Sequence, residues 1–107
     1  MRNISLESFL KEEIDSALLE LEGWKRVKNL DAIEKIYNFV NFKIAFDFMT
    51  LVAEKAEELN HHPEWSNSYS TVRVKLTTHD ASGITKLDIE LAHSMERIFK
   101  NLDKNNS

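Results

Sequence analysis

Residues 41–65 read NFKIAFDFMTLVAEKAEELNHHPEW, the longest periodic segment of the chain followed directly by two adjacent histidines and a proline. Asn41 is a good N-cap, and apolar residues recur at intervals of three and four over residues 42–59, so a helix is predicted there. Asn60 tolerates the left-handed conformation that often ends a helix, and Pro63 cannot continue one. The segment therefore predicts one long helix that ends where the histidines begin.

Two further helical patterns lie nearer the ends of the chain. Ser5 can cap a helix whose apolar residues repeat at spacings of three and four and stop shortly before Gly23. Thr85, with Asp88 three residues later, starts a capping-box-like pattern that continues at helical spacing to Leu102. These patterns predict the first and the last helix.

Four segments have the composition and the alternation of β-strands. Aromatic and β-branched residues occur over 24–27 and 32–40, and the Asn and Asp between them suit a turn, so a hairpin is predicted. Alternation over residues 65–69 and 72–76 predicts a second pair of short strands. Residues 77–83 are small and polar, which is typical of a loop.

The predicted elements follow the order α-β-β-α-β-β-α, with short connections between paired strands. Such connections favour antiparallel hairpins, so we expect a two-layer α+β fold: a four-stranded antiparallel sheet with three helices packed on one face. A chain of 107 residues has room for one domain, residues 1–107. Within it, residues 103–107 form a polar tail that need not be ordered.

Composition excludes several classes of function. The formal net charge is −4 and no lysine or arginine cluster is visible, so direct binding of nucleic acid is not expected. The chain has no cysteine, which excludes a disulfide framework and a thiolate nucleophile or metal ligand. No apolar leader opens the chain and no apolar run approaches the roughly 20 residues that span a bilayer, so we expect a cytoplasmic protein without a membrane partner.

The predicted central helix is apolar over more than one face. Five residues widen its apolar surface beyond the core stripe: Phe42, Ile44, Phe46, Leu51 and Ala53. In so small a protein this surplus must be buried, and a second copy of the chain is the simplest partner. We therefore expect a homo-oligomer, the alternative being that the sheet and the other two helices cover the whole surface.

Three of the four histidines are candidates for chemistry. A histidine, with an ordinary pKa of about 6.5, can give and take a proton near neutrality. His61 and His62 alone are more simply interpreted as a helix stop, since histidine suits a helix C-terminus. His79 makes a catalytic interpretation more favourable. Hairpin folding can return its loop to the same end of the sheet as His61 and His62, so that three histidines share one cleft. His93, inside the last helix, is interpreted as a surface or packing residue.

Other chemistries fit the sequence less well. Zinc binds three imidazoles and a water in some catalytic sites, but adjacent histidines are an awkward ligand pair, so a metal site is the minor alternative. No serine lies in a recognisable elbow motif, and two glycines in all leave no phosphate-binding loop. Proton transfer by imidazoles, without a cofactor, is the simplest chemistry.

The spacing of these residues carries a family resemblance. Glu57 is followed after three residues by His61-His62-Pro63, after five more by Tyr69, after nine by His79 and after eight by Asp88. This pattern resembles the signature of the pterin-4a-carbinolamine dehydratases, and the similarity covers nearly the whole chain. The resemblance implies the dehydration of 4a-hydroxytetrahydropterins, left when aromatic amino acid hydroxylases use tetrahydrobiopterin, to quinonoid dihydropterin and water. It implies neither a metal nor a redox cofactor.

The resemblance also implies roles for individual residues. His61 and His79 would act as general acid and base, and His62 would hold and polarise the pterin. Glu57 and Asp88 would orient imidazoles or meet the donors of the pterin, although a helix cap is an equally good interpretation of Asp88.

The pterin would be bordered by seven residues in two segments: Asn60, His61, His62, Thr77, Thr78, His79 and Asp80. Pro63 ends the helix and so fixes where the adjacent imidazoles point. Trp65 and Tyr69 are interpreted as wall or core residues rather than catalysts.

Assembly and partners follow from the same resemblance. It implies dimers that join sheets and tetramers that join helices, so a homodimer or homotetramer is expected. Animal members also act as dimerisation cofactors of a homeodomain transcription factor, through the helix that corresponds to residues 41–59. The alternative function is therefore a protein-interaction module with a helical partner, for which a nuclear location would also be expected.

Overall fold

The computed structural model describes residues 7–27 and 31–105. In these ranges, no helix is long and apolar enough to cross a membrane. The elements in chain order are α1 (Lys11–Leu18), β1 (Lys25–Arg26), β2 (Ile33–Asn38), α2 (Phe42–Leu59), β3 (Glu64–Ser68), β4 (Thr71–Leu76), a 3₁₀ helix (His79–Ala81) and α3 (Lys86–Asn105).

The four strands form one antiparallel sheet in the order β1-β2-β4-β3. Leu76 at the end of the inner strand β4 pairs with Ile33 of β2, and Lys75 pairs with Glu64, the first residue of β3. The predicted α+β fold and its element order are confirmed. The start of β3 and the end of β4 consequently lie at the same end of the sheet.

One face of the sheet packs against all three helices. Ile14 of α1, Phe48 of α2 and Met95 of α3 share a single core with five buried strand residues: Ile33, Tyr37, Val72, Val74 and Leu76. On the opposite face Ile36 is half exposed and Arg73 is exposed. The chain is thus built in two layers, as predicted.

The bounds of α2 agree with the prediction. The Oδ1 atom of Asn41 accepts a hydrogen bond from the backbone N–H of Ile44 at 2.9 Å, which satisfies one of the free donors at the helix start. Asn60 adopts the left-handed conformation, with φ 52° and ψ 43°, and ends the helix. Both ends of α2 are therefore set by local capping chemistry.

The helix α1 begins later than the periodicity predicts. The backbone N–H of Phe9 donates to the carbonyl of Ile84 at 2.7 Å, so the chain before α1 is held against the segment that precedes α3. Glu13 then caps the helix, because its carboxylate accepts the backbone N–H of Leu10 at 2.7 Å. The predicted cap, Ser5, lies outside the described residues.

The helix α3 extends to Asn105, into the segment 103–107 that the polar composition predicts as a tail. Leu102, the last apolar residue at helical spacing, packs against the core and anchors this final stretch. Residues 106–107 lie outside the described residues.

A charged cluster lies between β2 and α3. Lys35 Nζ is 2.7 Å from Glu96 Oε2 and also donates to the carbonyl of Glu22 at 2.7 Å. The Tyr37 hydroxyl donates to the same Glu96 oxygen, and the indole N–H of Trp24 lies 3.3 Å from it. Burial, together with the Glu96 carboxylate, raises the pKa of Tyr37 above its ordinary value. The cluster explains how β2 accommodates a lysine on its otherwise apolar face.

Candidate active site

His61 directly follows the left-handed residue Asn60 at the end of α2. Its backbone N–H donates to the carbonyl of Ala56 at 3.0 Å, which closes the last turn. The ring is buried, and its Nε2 lies 2.6 Å from Oδ1 of Asp88 on α3. Because both partners are buried and in contact, the imidazole is held in one orientation.

Asp88 is fully buried, and both of its oxygens are engaged. Its Oδ2 accepts hydrogen bonds from the Thr78 hydroxyl at 2.8 Å and from the backbone N–H of Thr85 at 2.9 Å. The two threonine hydroxyls lie 2.8 Å apart. Asp88 therefore closes the capping box at the start of α3 with one oxygen and contacts His61 with the other.

His62 lies in a more open environment than His61. Its Nε2 is 2.5 Å from Oε2 of Glu57 in the last turn of α2, and the two side chains are 56% and 77% exposed. A pair so accessible to water is screened and gains little free energy from its contact. His62 is therefore free to change partners when a ligand arrives.

His79 is the first residue of the 3₁₀ helix after β4. Its Nε2 lies 3.0 Å from Oε2 of Glu64, whose Oε1 lies 3.2 Å from Nζ of Lys75. The hydrogen bond from His79 and, next, that from Lys75 hold the pKa of the Glu64 carboxyl below its usual value. Glu64 is thus an ionised carboxylate at neutral pH, shared between two cationic or potentially cationic groups.

Glu64 is the residue of this cluster that the sequence motif does not identify. It is separated from His79 by fifteen positions, with no helical or strand period between them. The contact depends on the sheet register, which pairs Glu64 with Lys75. The sequence offers one indication of Glu64, namely that this carboxylate directly follows His62 and Pro63, immediately before a predicted strand.

These contacts place the two histidine segments at one end of the sheet. Glu64 lies two residues after His62 and reaches His79. Thr78, which precedes His79, bonds to the carboxylate that holds His61. The loop after β4 therefore lies beside the histidine pair.

His79 also lines a cavity of about 320 Å³, whose other lining residues are Asp31, Ala32, Glu64, Lys75, Thr77 and Ser82. That volume lies near the lower end of the range for small-molecule sites, about 300–1,000 Å³. His61 and His62 are not among the lining residues. A larger depression of about 670 Å³ lies on the open face of the sheet, but its described lining includes no histidine, so the smaller cavity fits imidazole chemistry better.

The remaining predicted border residues are distributed around this end of the sheet. The Thr77 hydroxyl donates to the carbonyl of Asp31 at 2.6 Å, which ties the segment after β4 to the segment before β2. Asn60 and Asp80 are exposed, and Pro63 is half-buried. The side chains of Asn60 and Asp80 are therefore accessible to a ligand.

Trp65 and Tyr69 differ in their surroundings. Trp65 packs against the core, whereas Tyr69 is 69% exposed in the turn between β3 and β4, with φ 52°. Because β3 runs from Glu64 to Ser68, this turn lies at the end of the strand away from the Glu64 contact. Within the single chain, Tyr69 is therefore neither a core residue nor a wall of the His79 cavity.

The described residues include no group of three or more His, Cys, Asp or Glu side chains placed to hold a metal ion. Each of the three histidines instead directs its Nε2 to one carboxylate: His61 to Asp88, His62 to Glu57 and His79 to Glu64. The alternative of a metal site thus has no ligand set in the part of the chain that is described.

Fold and contacts together define a small α+β protein with histidine–carboxylate pairs gathered at one end of an antiparallel sheet, a set of groups suited to proton transfer. A family model described as pterin 4 alpha carbinolamine dehydratase matches residues 7–98. The chain belongs to this family, the pterin-4a-carbinolamine dehydratases, and is accordingly a hydro-lyase.

Individual relatives agree with the family assignment. Two proteins provisionally named pterin-4-alpha-carbinolamine dehydratase, from Rhodopseudomonas palustris (strain HaA2) and Bradyrhizobium sp. (strain ORS 278), are 48% and 50% identical over 93 residues. The matches cover 87% of this chain and 92% and 93% of those relatives. A crystal structure of a transcriptional coactivator/pterin dehydratase from Brucella melitensis superposes with a TM-score of 0.85 at 42% identity, covering 86% of this chain and 98% of that one.

Proposed function

We propose that the chain dehydrates a 4a-hydroxytetrahydropterin to quinonoid dihydropterin and water, as a step in tetrahydrobiopterin recycling, by histidine general acid/base catalysis. The observation that carries the proposal is that His61, His62 and His79 each present Nε2 to a carboxylate in adjoining segments. The other ring nitrogen, Nδ1, is then available to the substrate.

The reaction needs one proton donor and one proton acceptor. The C4a–O bond breaks, the leaving oxygen receives a proton and departs as water, and N5 loses its proton as the C4a–N5 double bond forms. A protonated imidazole can supply the first proton and a neutral one can take the second. In either state Nε2 keeps its proton and donates a hydrogen bond to the carboxylate, so Nδ1 serves as the donor in one histidine and as the acceptor in the other.

We assign proton transfer to His61 and His79 and pterin binding to His62. His61 is held rigidly by the buried Asp88, which suits a group that must meet a reacting atom in one geometry. His79 lines the cavity. His62, in its exposed pair with Glu57, can exchange that contact for a pterin group.

The bordering groups complete the proposed pterin site. Asn60 flanks the histidine pair, and residues 77–80 supply backbone groups and the exposed Asp80 side chain. The Thr78 hydroxyl is already bonded to Asp88, so Thr78 would meet the pterin through its backbone.

The test follows carbinolamine loss by stopped-flow absorbance in the presence of a chelator. His61→Ala and His79→Ala are each expected to slow the reaction by about 10² or more, the usual size of an acid–base contribution. His93→Ala is the matched control, since His93 lies in a shallow groove between α1 and α3. Full activity in the His61→Ala/His79→Ala double variant would contradict the proposal, and loss of wild-type activity with chelator would favour a metal site.

A second function, protein interaction, is favoured by the exposed apolar side chains of α2. Phe42, Phe46 and Leu51 are 45%, 53% and 41% exposed, and the two phenylalanine rings contact each other in a tilted arrangement with centroids 5.6 Å apart. Such a patch on a small protein is typical of an interface. We propose that it joins copies of the chain into a homodimer or homotetramer, or binds a helical partner in their place.

Light scattering coupled to size-exclusion chromatography tests this second proposal. A Phe42→Ser/Phe46→Ser variant is expected to show a lower mass than the wild type, whereas Leu19→Ser, at an 87% exposed position outside α2, keeps the wild-type mass. A helical partner that lowers the mass of the homo-oligomer as it binds would favour the interaction module. A monomeric wild type with no such partner would exclude both assemblies.

A further inference from the structure

Glu64 joins two partners at the wall of the His79 cavity. Its Oε2 lies 3.0 Å from Nε2 of His79 and its Oε1 lies 3.2 Å from Nζ of Lys75. Glu64 is outside the spaced motif that carries the family resemblance, and the acid–base scheme above uses it only as the acceptor of the hydrogen bond from Nε2 of His79. It is nevertheless the carboxylate that contacts one of the two proton-transferring histidines.

We propose that Glu64 is a positioning residue for His79 and that Lys75 limits how strongly Glu64 holds a proton on the imidazole. The inference rests on the proposed function, in which His79 transfers a proton at the pterin.

The positioning step follows from the elements that carry the two side chains. His79 is 79% exposed and belongs to a 3₁₀ helix of three residues, so its ring would sample several rotamers without a partner. Glu64 opens β3, whose register with β4 runs from Glu64 to Ser68. A carboxylate based on a paired strand therefore narrows the orientations of a ring on a short, exposed turn.

The electrostatic step follows from the charges around the ring. A carboxylate beside an imidazole favours its protonated form, and a nearby ammonium disfavours it. Asp31 lines the same cavity and Asp80 is the next residue of the 3₁₀ helix, so carboxylates predominate there. Lys75 is the cation among the described lining residues, and its contact with Glu64 opposes their combined effect on His79.

The solvent exposure of Glu64 and Lys75 indicates that their contacts affect proton transfer at His79 more than the stability of the fold. The Glu64 and Lys75 side chains are 46% and 38% exposed, and pairs this accessible contribute little to stability. Removing either charge should leave the unfolding transition almost unchanged while altering proton transfer at His79.

The experiment compares Glu64→Gln and Lys75→Met with the control Glu34→Gln. Glu34 pairs with Lys75 from the other neighbouring strand, so the control removes a carboxylate from the same row of the sheet without touching His79. For each variant, the pH dependence of the dehydration rate is measured, and the ring proton of His79 is titrated by NMR in the free protein.

Glu64→Gln is expected to lower kcat about tenfold and to move the NMR titration of His79 to lower pH. Lys75→Met is expected to move the titration to higher pH, and Glu34→Gln to leave it in place. Opposite shifts from two variants of equal stability would not arise from a merely structural contact.

Two outcomes overturn the inference: no shift in the titration, or shifts in the same direction for Glu64→Gln and Lys75→Met. A different outcome separates it from the proposed function. If the titrations move as expected while every variant keeps the wild-type rate, the coupling of Glu64 and Lys75 to His79 is supported, and the catalytic role of His79 is what fails.

Discussion

Oδ1 of Asp88 lies 2.6 Å from Nε2 of His61, and Oδ2 of the same carboxylate accepts a hydrogen bond from the backbone N–H of Thr85, the residue that caps α3. One buried side chain thus connects the end of α2 with the start of α3. The contact between His61 and Asp88 is the most enclosed of the three histidine–carboxylate pairs.

Asp88→Asn is expected to impair both activity and stability. An amide has one acceptor oxygen, so it cannot accept from His61 and from the Thr78 and Thr85 donors as the carboxylate does. We expect the free energy of unfolding to fall by about 1–3 kcal/mol and kcat to fall by about 10². Urea unfolding monitored by circular dichroism and stopped-flow kinetics measure the two effects. A variant with wild-type rate and stability would show that the connection Asp88 makes between His61 and the start of α3 is dispensable.

His62→Ala is expected to raise KM more than it lowers kcat, because we assign His62 to pterin binding. Glu57→Gln should have a smaller effect on both, and almost none on stability, since the pair is exposed and worth at most about 1 kcal/mol. Steady-state kinetics over a range of pterin concentrations separates the two parameters. A fall in kcat as large as that of His61→Ala would instead place His62 among the proton-transfer groups.

Stability should fall with pH above about 10 because of Tyr37. Burial and Glu96 raise the pKa of Tyr37, so the folded chain keeps a proton that the unfolded chain releases near the ordinary value of about 10. Below that pH Tyr37 is protonated in both the folded and the unfolded chain, so its ionisation does not change the free energy of unfolding. Above it the free energy of unfolding falls by up to about 1.4 kcal/mol per pH unit. Urea midpoints at successive pH values should show this slope in the wild type and less of it in Tyr37→Phe.

Asn41→Ala is expected to lower the free energy of unfolding by about 1 kcal/mol, because the Ile44 N–H loses its cap. Lys43→Ala is the neighbouring control: it removes an exposed contact with Asp47 worth about 0.5 kcal/mol or less. Equal losses in the two variants would mean that the cap has no special role in α2.

The sequence predicts elements well where the deciding contacts are local. The Asn41 cap, the left-handed Asn60 and the capping box of Thr85 and Asp88 involve residues no more than a few positions apart. Side-chain spacing and capping preferences describe such contacts directly, so both ends of α2 and the start of α3 are predictable.

Contacts between residues distant in sequence account for the features of the structure that the sequence did not predict. The start of α1 depends on a hydrogen bond from Phe9 to Ile84, and the buried charge of Lys35 depends on Glu96. The pair formed by Glu64 and His79 requires the register that places Glu64 opposite Lys75 at the end of β4, and the predicted hairpin does not determine that register. The three candidate histidines are predictable from their spacing, whereas the contact between Glu64 and His79 requires the folded sheet.

Because Asp88 serves the cap of α3 and the orientation of His61 together, fraying of that helix start cannot leave the histidine undisturbed. The first turn of α3 and the end of α2 should open as one cooperative unit in native-state hydrogen exchange. On heating, inactivation would then coincide with melting, and a folded but inactive population would not accumulate.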